Sequence, residues 1–131
     1  MQLEEMYQQF ARCKNWEERY RLLIQFSRQL PKPSEEELAQ WQEIEGCESR
    51  LWFEFQPIPR QVKAYSDARL MQGMLAVLIV ALEEQSLTAL QHFDIPSFFD
   101  KLRMTNHLSS TRLNGLKQIQ AIVQQKSQGK R

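Results

Sequence analysis

The sequence is poor in glycine and cysteine. Its 131 residues include four glycines and two cysteines, Cys13 and Cys47. So few glycines cannot form the glycine-rich loop that cradles phosphate or binds a dinucleotide, which disfavours nucleotide enzymes. Two separated cysteines cannot build a disulfide framework, and an iron-sulfur cluster usually takes about four thiolate or imidazole ligands. We therefore expect two independent thiols in a reducing compartment.

Long apolar runs and an excess of charge of one sign are also missing. The longest apolar run is residues 74–82, against the ~20 residues that a membrane-spanning helix needs. Seventeen Lys and Arg face sixteen Asp and Glu, so no bulk charge attracts nucleic acid or an anionic membrane. The first residues carry Glu4 and Glu5 and no secretory-signal pattern. We expect a cytoplasmic protein without nucleic-acid or membrane partners.

The apolar residues present are enough for one globular domain, residues 1–131, with a frayed tail from about residue 126. Apolar residues at helical spacing predict helices, and Asn15 and Ser34 are expected caps. Ser34 and Glu37 form the pattern of a capping box. The predicted helices cover residues 3–10, 16–30, 34–41, 67–82, 86–91, 96–102 and 110–124.

Two segments change to an alternation of apolar and polar residues. From Ser49 onward, Leu51, Phe53 and Phe55 fall on one face, which predicts a half-buried strand. Residues 61–65 alternate again after two prolines, so the economical prediction is an antiparallel pair. The predicted fold class is α+β: a small antiparallel sheet packed against several helices, the long apolar helix being central.

Cys47 is the first candidate for chemistry, because it follows Gly46 on a predicted loop between a short helix and a strand. The commoner fate of such a cysteine is a small buried side chain, and the other is a reactive thiol. Glu43, Glu45 and Glu48 disfavour the thiolate, and the one nearby cation is Arg50. The other candidates have structural interpretations: Cys13 (packing), Asp67 (helix cap, as is Ser66), Arg112 (first turn of the last helix), and His92 and His107 (no metal-ligand spacing).

Three motifs occur in order along the chain: Gly-Cys-x-Ser-x-Leu-Trp at 46–52, Ser-Asp-Ala at 66–68, and Leu-Ser-x-x-Arg-x-x-Gly-Leu at 108–116. With the run from Cys13 to Tyr20, they make the chain similar to the SufE-like family of sulfur acceptors. The similarity spans about residues 6–122. It implies a fold shared with U-type iron-sulfur scaffold proteins, and it favours the reactive interpretation of Cys47 over the buried one.

The resemblance also implies a function. Family members take persulfide sulfur from a pyridoxal-phosphate-dependent cysteine desulfurase, SufS-like or CsdA-like, stimulate it, and deliver the sulfur to an iron-sulfur scaffold complex. By similarity, Cys47 carries the persulfide as a covalent intermediate, with no bound cofactor or metal. The implied loop and interface residues are Gly46, Glu48, Ser49, Asp67 and Arg112. We expect the loop to shelter Cys47 and to swing outward about Gly46.

Two alternatives stay open. Trp52 falls on the polar face of its predicted strand, and an exposed Trp52 would indicate a module that regulates a partner without covalent chemistry. A less favoured alternative is a thiol enzyme that uses Cys47 with His107 as base. Residues near Cys47 favour the CsdE branch, whereas segments around residues 15–18, 92–94 and 105–108 favour SufE proper, so the sequence does not identify the desulfurase.

Overall fold

Helices surround a small sheet in this computed structural model, which describes residues 2–47, 49–104 and 108–128. Within those residues the chain forms seven helices and three strands. The elements are α1 (Leu3–Ala11), α2 (Trp16–Ser27), α3 (Glu35–Gln40), β1 (Gln42–Glu43), β2 (Leu51–Gln56), β3 (Gln61–Ser66), α4 (Arg69–Glu84), α5 (Leu87–Leu90), α6 (Ile95–Lys101) and α7 (Ser110–Lys126). The predicted α+β class is confirmed.

The three strands are antiparallel, in the order β1-β2-β3. The predicted pair is confirmed, with Phe53 opposite Ala64. β2 begins at Leu51 rather than at Ser49, so Ser49 lies in the preceding loop. The edge strand β1 places Glu43 opposite Trp52 and was not predicted, because two residues are too short to show a period.

The core lies between the sheet and α4. Leu51, Phe53 and Phe55 point inward from β2 and are at most 2% exposed, as the alternation predicts. α4 is buried over most of its length and packs against both α2 and β3. Its apolar character on nearly all sides therefore reflects a central position. No helix in the described part of the chain is long and apolar enough to span a membrane.

Most predicted caps are present. Asn15 Oδ1 accepts from the Glu18 amide at 2.9 Å, and Ser34 forms the predicted capping box with Glu37. These caps were predictable because their donors lie within a few residues of the acceptor.

The predicted cap of α4 is wrong. The helix begins after Ala68, and neither Ser66 nor Asp67 caps it with a side chain. The Ser66 hydroxyl instead donates to the carbonyl of Arg50 at 2.7 Å. The same oxygen accepts from the amide of Ala68 at 3.2 Å, the residue before the helix, so Ser66 joins β3 both to the start of α4 and to the residue that precedes β2.

The last helix extends into the segment that was predicted to be frayed. α7 continues to Lys126, and Ser127 is 1% exposed. The Ser127 carbonyl accepts from Gln91 Nε2 at 2.9 Å, which fixes the end of α7 beside α5. Ser127 is therefore packed while Lys126 and Gln128 on either side of it are exposed, and residues 129–131 lie outside the described part of the chain.

Candidate functional site

Cys47 lies at the tip of the loop between β1 and β2. The Ile44 amide donates to the Leu51 carbonyl at 2.8 Å, which closes the hairpin just beyond β1. Residues 45–50 lie between this closure and β2 in the sequence and are called the Cys47 loop below. Cys47 is half-buried and packs against the hydrophobic core. Glu48, a predicted site residue in this loop, lies outside the described residues, and Ser49 is half-buried.

The base of the Cys47 loop is held at Arg50 by the Ser-Asp-Ala motif. The Arg50 amide donates to Asp67 Oδ1 at 3.1 Å, and its carbonyl accepts from the Ser66 hydroxyl. Both backbone polar groups of Arg50 are thereby satisfied from the end of β3 and the residue that follows it. The structure thus brings Asp67 to the loop through Arg50.

The Arg50 side chain turns toward β1. Its guanidinium pairs with Glu43 through two bonds, 3.0 Å to Oε2 and 3.2 Å to Oε1, which lower the pKa of the Glu43 carboxyl. The pair is exposed, so it adds little stability. Its effect is electrostatic, because it neutralises one of the three carboxylates that the sequence places around Cys47.

Trp52 is not the exposed docking residue that one alternative required. It is 8% exposed, its ring lies 5.9 Å from that of Tyr65 between centroids, and Arg50 Cζ lies 4.6 Å from the ring centroid. The polar side of β2 is therefore covered at this point by a cross-strand aromatic and a cation. The sequence period did not predict this cover, because it depends on the register of β3.

Gly115 of α7 provides the surface on which Cys47 rests. A Cβ atom at residue 115 would lie 3.1 Å from the Cβ and 3.3 Å from the Sγ of Cys47. Glycine inside a helix costs about 1 kcal/mol relative to alanine. The close approach of Cys47 explains why glycine occupies this position despite its cost to the helix.

Two residues that sequence reasoning missed bind the Cys47 loop on either side of Gly115. Asn114 Nδ2 donates to the Gly46 carbonyl at 3.2 Å, and Gln118 Nε2 donates to the Glu45 carbonyl. Residues four apart on a helix share a face, so both amides reach the same loop. An amide pair at this spacing around a mid-helix glycine is the signal that could have indicated them.

The backbone at Gly46 requires glycine. Its φ of +84° lies in the left-handed region, and a Cβ there would collide with the side-chain amide of Asn114. Arg112, another predicted site residue, lies in the first turn of α7, where its amide donates to the Ser109 hydroxyl at 3.2 Å. It precedes Gly115 by three residues, so the two lie on neighbouring positions of one helix face.

The second thiol lies elsewhere. Cys13 follows α1, and its Sγ lies 3.6 Å from the carbonyl of Gln9, to which it donates. Burial, and secondarily the charge of Glu18, raise the pKa of this thiol, so less of it is in the reactive thiolate form at neutral pH. Within residues 2–47, 49–104 and 108–128, no three His, Cys, Asp or Glu side chains group as metal ligands. His107, the base of the thiol-enzyme alternative, lies outside these ranges.

The geometry therefore presents one thiol on a loop with a fixed base and a tip that is hydrogen-bonded to α7. Comparison with known proteins agrees with the sequence motifs. Residues 4–127 match the SufE family, described as an Fe-S metabolism associated domain. An uncharacterized SufE-like protein of Haemophilus influenzae is 44% identical over 117 residues, which cover 87% of this chain and 93% of that protein.

A solved structure shares the fold. The solution structure of a hypothetical protein from Thermus thermophilus superposes with a TM-score of 0.72 at 18% identity, over 96% of this chain and 93% of that one. The match to the family over nearly the whole chain and the identity to the Haemophilus protein establish the relationship. The chain belongs to the SufE family of proteins associated with iron-sulfur metabolism.

Proposed function

We propose that this protein accepts sulfane sulfur from a pyridoxal-phosphate-dependent cysteine desulfurase onto Cys47 and passes it to an iron-sulfur scaffold complex. The observation that carries the proposal is the position of Cys47: half-buried at the tip of a loop that turns at Gly46 and rests on Gly115. A carrier needs a thiol that can be reached by a partner and covered afterwards. Membership of the SufE family supports the same role.

The proposed step is a thiol-persulfide exchange. The Cys47 thiolate attacks the outer sulfur of the desulfurase's cysteine persulfide, and a new bond forms between that sulfur and Cys47 Sγ. The sulfur-sulfur bond of the donor breaks, its cysteine leaves as a thiolate, and the proton lost by Cys47 can return to it. The sulfane sulfur keeps its oxidation state, so the exchange needs no external oxidant or reductant.

Desulfurase stimulation follows from the same step. While its cysteine carries the persulfide, the desulfurase cannot accept another sulfur atom. Transfer to Cys47 restores the free thiolate and raises the turnover rate without a new catalytic group. The sequence holds one other thiol, Cys13, which follows α1 and has a raised pKa. Stimulation should therefore depend on Cys47.

The test is incubation with a cysteine desulfurase and cysteine, followed by mapping of the modified residue by mass spectrometry. We expect Cys47 to gain one sulfur atom and Cys47→Ser to gain none and to lose desulfurase stimulation. Cys13→Ser is the matched control, because it removes the other thiol and should keep both activities. Stimulation that persists in Cys47→Ser would instead support the non-covalent regulatory module, for which the covered Trp52 gives no support.

A further inference from the structure

The tip and the base of the Cys47 loop are attached to different parts of the fold. At the base, Arg50 is tied to Asp67 and Ser66 through its backbone. At the tip, the carbonyls of Glu45 and Gly46 accept from side-chain amides of α7. The two residues immediately before Cys47 are thus attached to α7 by those amide bonds.

We propose that Asn114 and Gln118 are positioning residues that form an amide clamp, which holds the Cys47 loop on α7 and sets the fraction of time that the thiol is free to reach a partner. Both donors are uncharged, and both bonds are exposed to solvent. Such bonds are weak net contributors to stability, because water replaces them when they open. The clamp can therefore release the loop without unfolding α7.

Gly115 allows the clamp to hold the Cys47 side chain directly against α7. It lies between the two amides and leaves room for the Cβ and Sγ of Cys47 directly on the helix backbone. When both amides are engaged, the Cys47 side chain is pressed against α7 and the core. When they are released, the left-handed turn at Gly46 provides a flexible point about which the tip can lift.

The strength of the clamp determines how fast Cys47 reacts. A typical neutral hydrogen bond shifts an equilibrium roughly fivefold. Loss of either amide should increase the open fraction by about that factor, and loss of both by roughly ten- to thirtyfold, since the two bonds hold one loop and need not be additive. The rate of reaction with a small neutral alkylating agent should rise in the same proportion.

The experiment measures alkylation of the two thiols by iodoacetamide, with peptide mass spectrometry to separate Cys47 from Cys13. Asn114→Ala and Gln118→Met should each label Cys47 about fivefold faster than the parent protein, with Cys13 unchanged as an internal reference. Gln124→Met is the matched control. Gln124 donates from the same helix to the Phe93 carbonyl at 3.0 Å, so its loss removes an amide-to-carbonyl bond away from the Cys47 loop.

Three outcomes overturn the clamp. Cys47 labelling could stay at the parent rate in the double variant, it could rise equally in Gln124→Met, or it could rise together with that of Cys13. The last two outcomes would show general loosening of the protein. Selective acceleration at Cys47 in the clamp variants alone supports the proposal.

The consequence for sulfur transfer rests on the proposed function, but the labelling test does not. If Cys47 carries sulfur, clamp variants should accept it from the desulfurase faster and lose it to a thiol reductant faster. Faster alkylation without any sulfur on Cys47 would leave the clamp established and refute the carrier role. Sulfur on Cys47 with unchanged alkylation would refute the clamp and leave the carrier role established.

Discussion

Gly115 shows how one missing methyl group positions a reactive side chain. Replacing it with alanine adds a Cβ that meets Leu51 Cδ2 and Cys47 Cβ, each at 3.1 Å. That contact is tight enough that a neighbour must move, and the loop is the softer neighbour. Gly115→Ala gains about 1 kcal/mol of helix propensity and loses a similar amount to crowding, so the net change in stability should stay within about 1 kcal/mol. Alkylation of Cys47 should nevertheless accelerate severalfold.

The control for Gly115→Ala is a glycine in a buried helix away from the loop. A Cβ at Gly73 would lie 2.5 Å from the carbonyl oxygen of Leu23. Gly73→Ala should therefore destabilise the protein more than Gly115→Ala in urea unfolding and should leave Cys47 alkylation unchanged while the protein stays folded. Equal alkylation rates in the two variants would argue against a local displacement of the loop.

Asp94 gives a prediction for pH dependence at the residue scale. It caps α6 and accepts from the amide of Ser97 at 2.9 Å and from the Ser97 hydroxyl. These bonds, the hydroxyl first, lower the pKa of the carboxyl below its usual value. A carboxyl whose pKa is lower in the folded state stabilises the fold above its unfolded-state pKa. That stability is lost as pH falls through the lower folded-state pKa.

Asp94→Ala should therefore cost about 1 kcal/mol near pH 7, the usual value of a helix cap. The difference from the parent protein should begin to shrink below about pH 4, the usual pKa of an aspartate, and should disappear as the pH falls through the lower folded-state pKa. Urea unfolding of each protein at a series of pH values measures this. Asp94→Asn keeps a capping acceptor that does not titrate, so it should lose no stability at this cap as the pH falls, and any advantage of the parent over it should shrink at low pH. A difference that is the same at pH 7 and at pH 2 would contradict the assignment.

At the scale of elements, Arg60 joins the β2–β3 turn to the end of α4. Its Nη1 atom donates to the carbonyls of Leu82 and Gln85, each at 2.8 Å, and its Nε atom donates to the carbonyl of Pro57 at 2.9 Å. The last turn of α4 contains no basic residue of its own, so Arg60 supplies the cation that a helix C-terminus favours.

Arg60→Met keeps the apolar part of the side chain and removes all three donated bonds. We expect a loss of about 2–3 kcal/mol in the free energy of unfolding, since hydrogen bonds from a charged donor to partly buried acceptors are among the stronger ones. Lys63→Met, at an exposed position on the following strand β3, should change it by about 0.5 kcal/mol or less. Urea unfolding compares the two, and equal losses would show that Arg60 acts only as a surface cation.

The same elements show what a sequence can predict. α2 and α3 were predictable because Asn15 and Ser34 bind amides three residues away. β2 was predictable because its alternation reflects one buried face. By contrast, β1 exists through pairing with β2, and the covered state of Trp52 depends on β3. Structure that depends on partners distant in the chain leaves little local pattern.

At the scale of the whole molecule, the site is held together by contacts between residues that lie far apart in the sequence. Cys47 and Gly46 were predictable as a cysteine on a loop, and the family motifs selected them. The contacts that hold the loop join residues 45 and 46 to residues 118 and 114 and are 73 and 68 positions apart. Periodicity and capping rules describe neighbours along the chain, so Asn114 and Gln118 were missed even though the motif containing Gly115 was recognised.

The whole molecule also separates two kinds of motion. The Cys47 loop is held at its tip by solvent-exposed bonds, whereas Val77 in the centre of α4 is 0% exposed. Local opening of the loop should expose little surface, and exposure of Val77 should require global unfolding. The two events therefore differ in their sensitivity to urea, because that sensitivity scales with the surface exposed.

The alkylation rate of a thiol at residue 77 measures global unfolding, and that of Cys47 measures opening of the loop. With Cys13 and Cys47 replaced by serine, Val77→Cys should be alkylated at least about a thousandfold more slowly than Cys47 in the parent protein, since typical domains are stable by about 5 kcal/mol or more. Low concentrations of urea should accelerate labelling at residue 77 steeply and at Cys47 very little. If both rates rose with the same slope, exposure of Cys47 would require unfolding of the whole domain. A loop that opened only in this way could not deliver sulfur to a partner while the protein stayed folded.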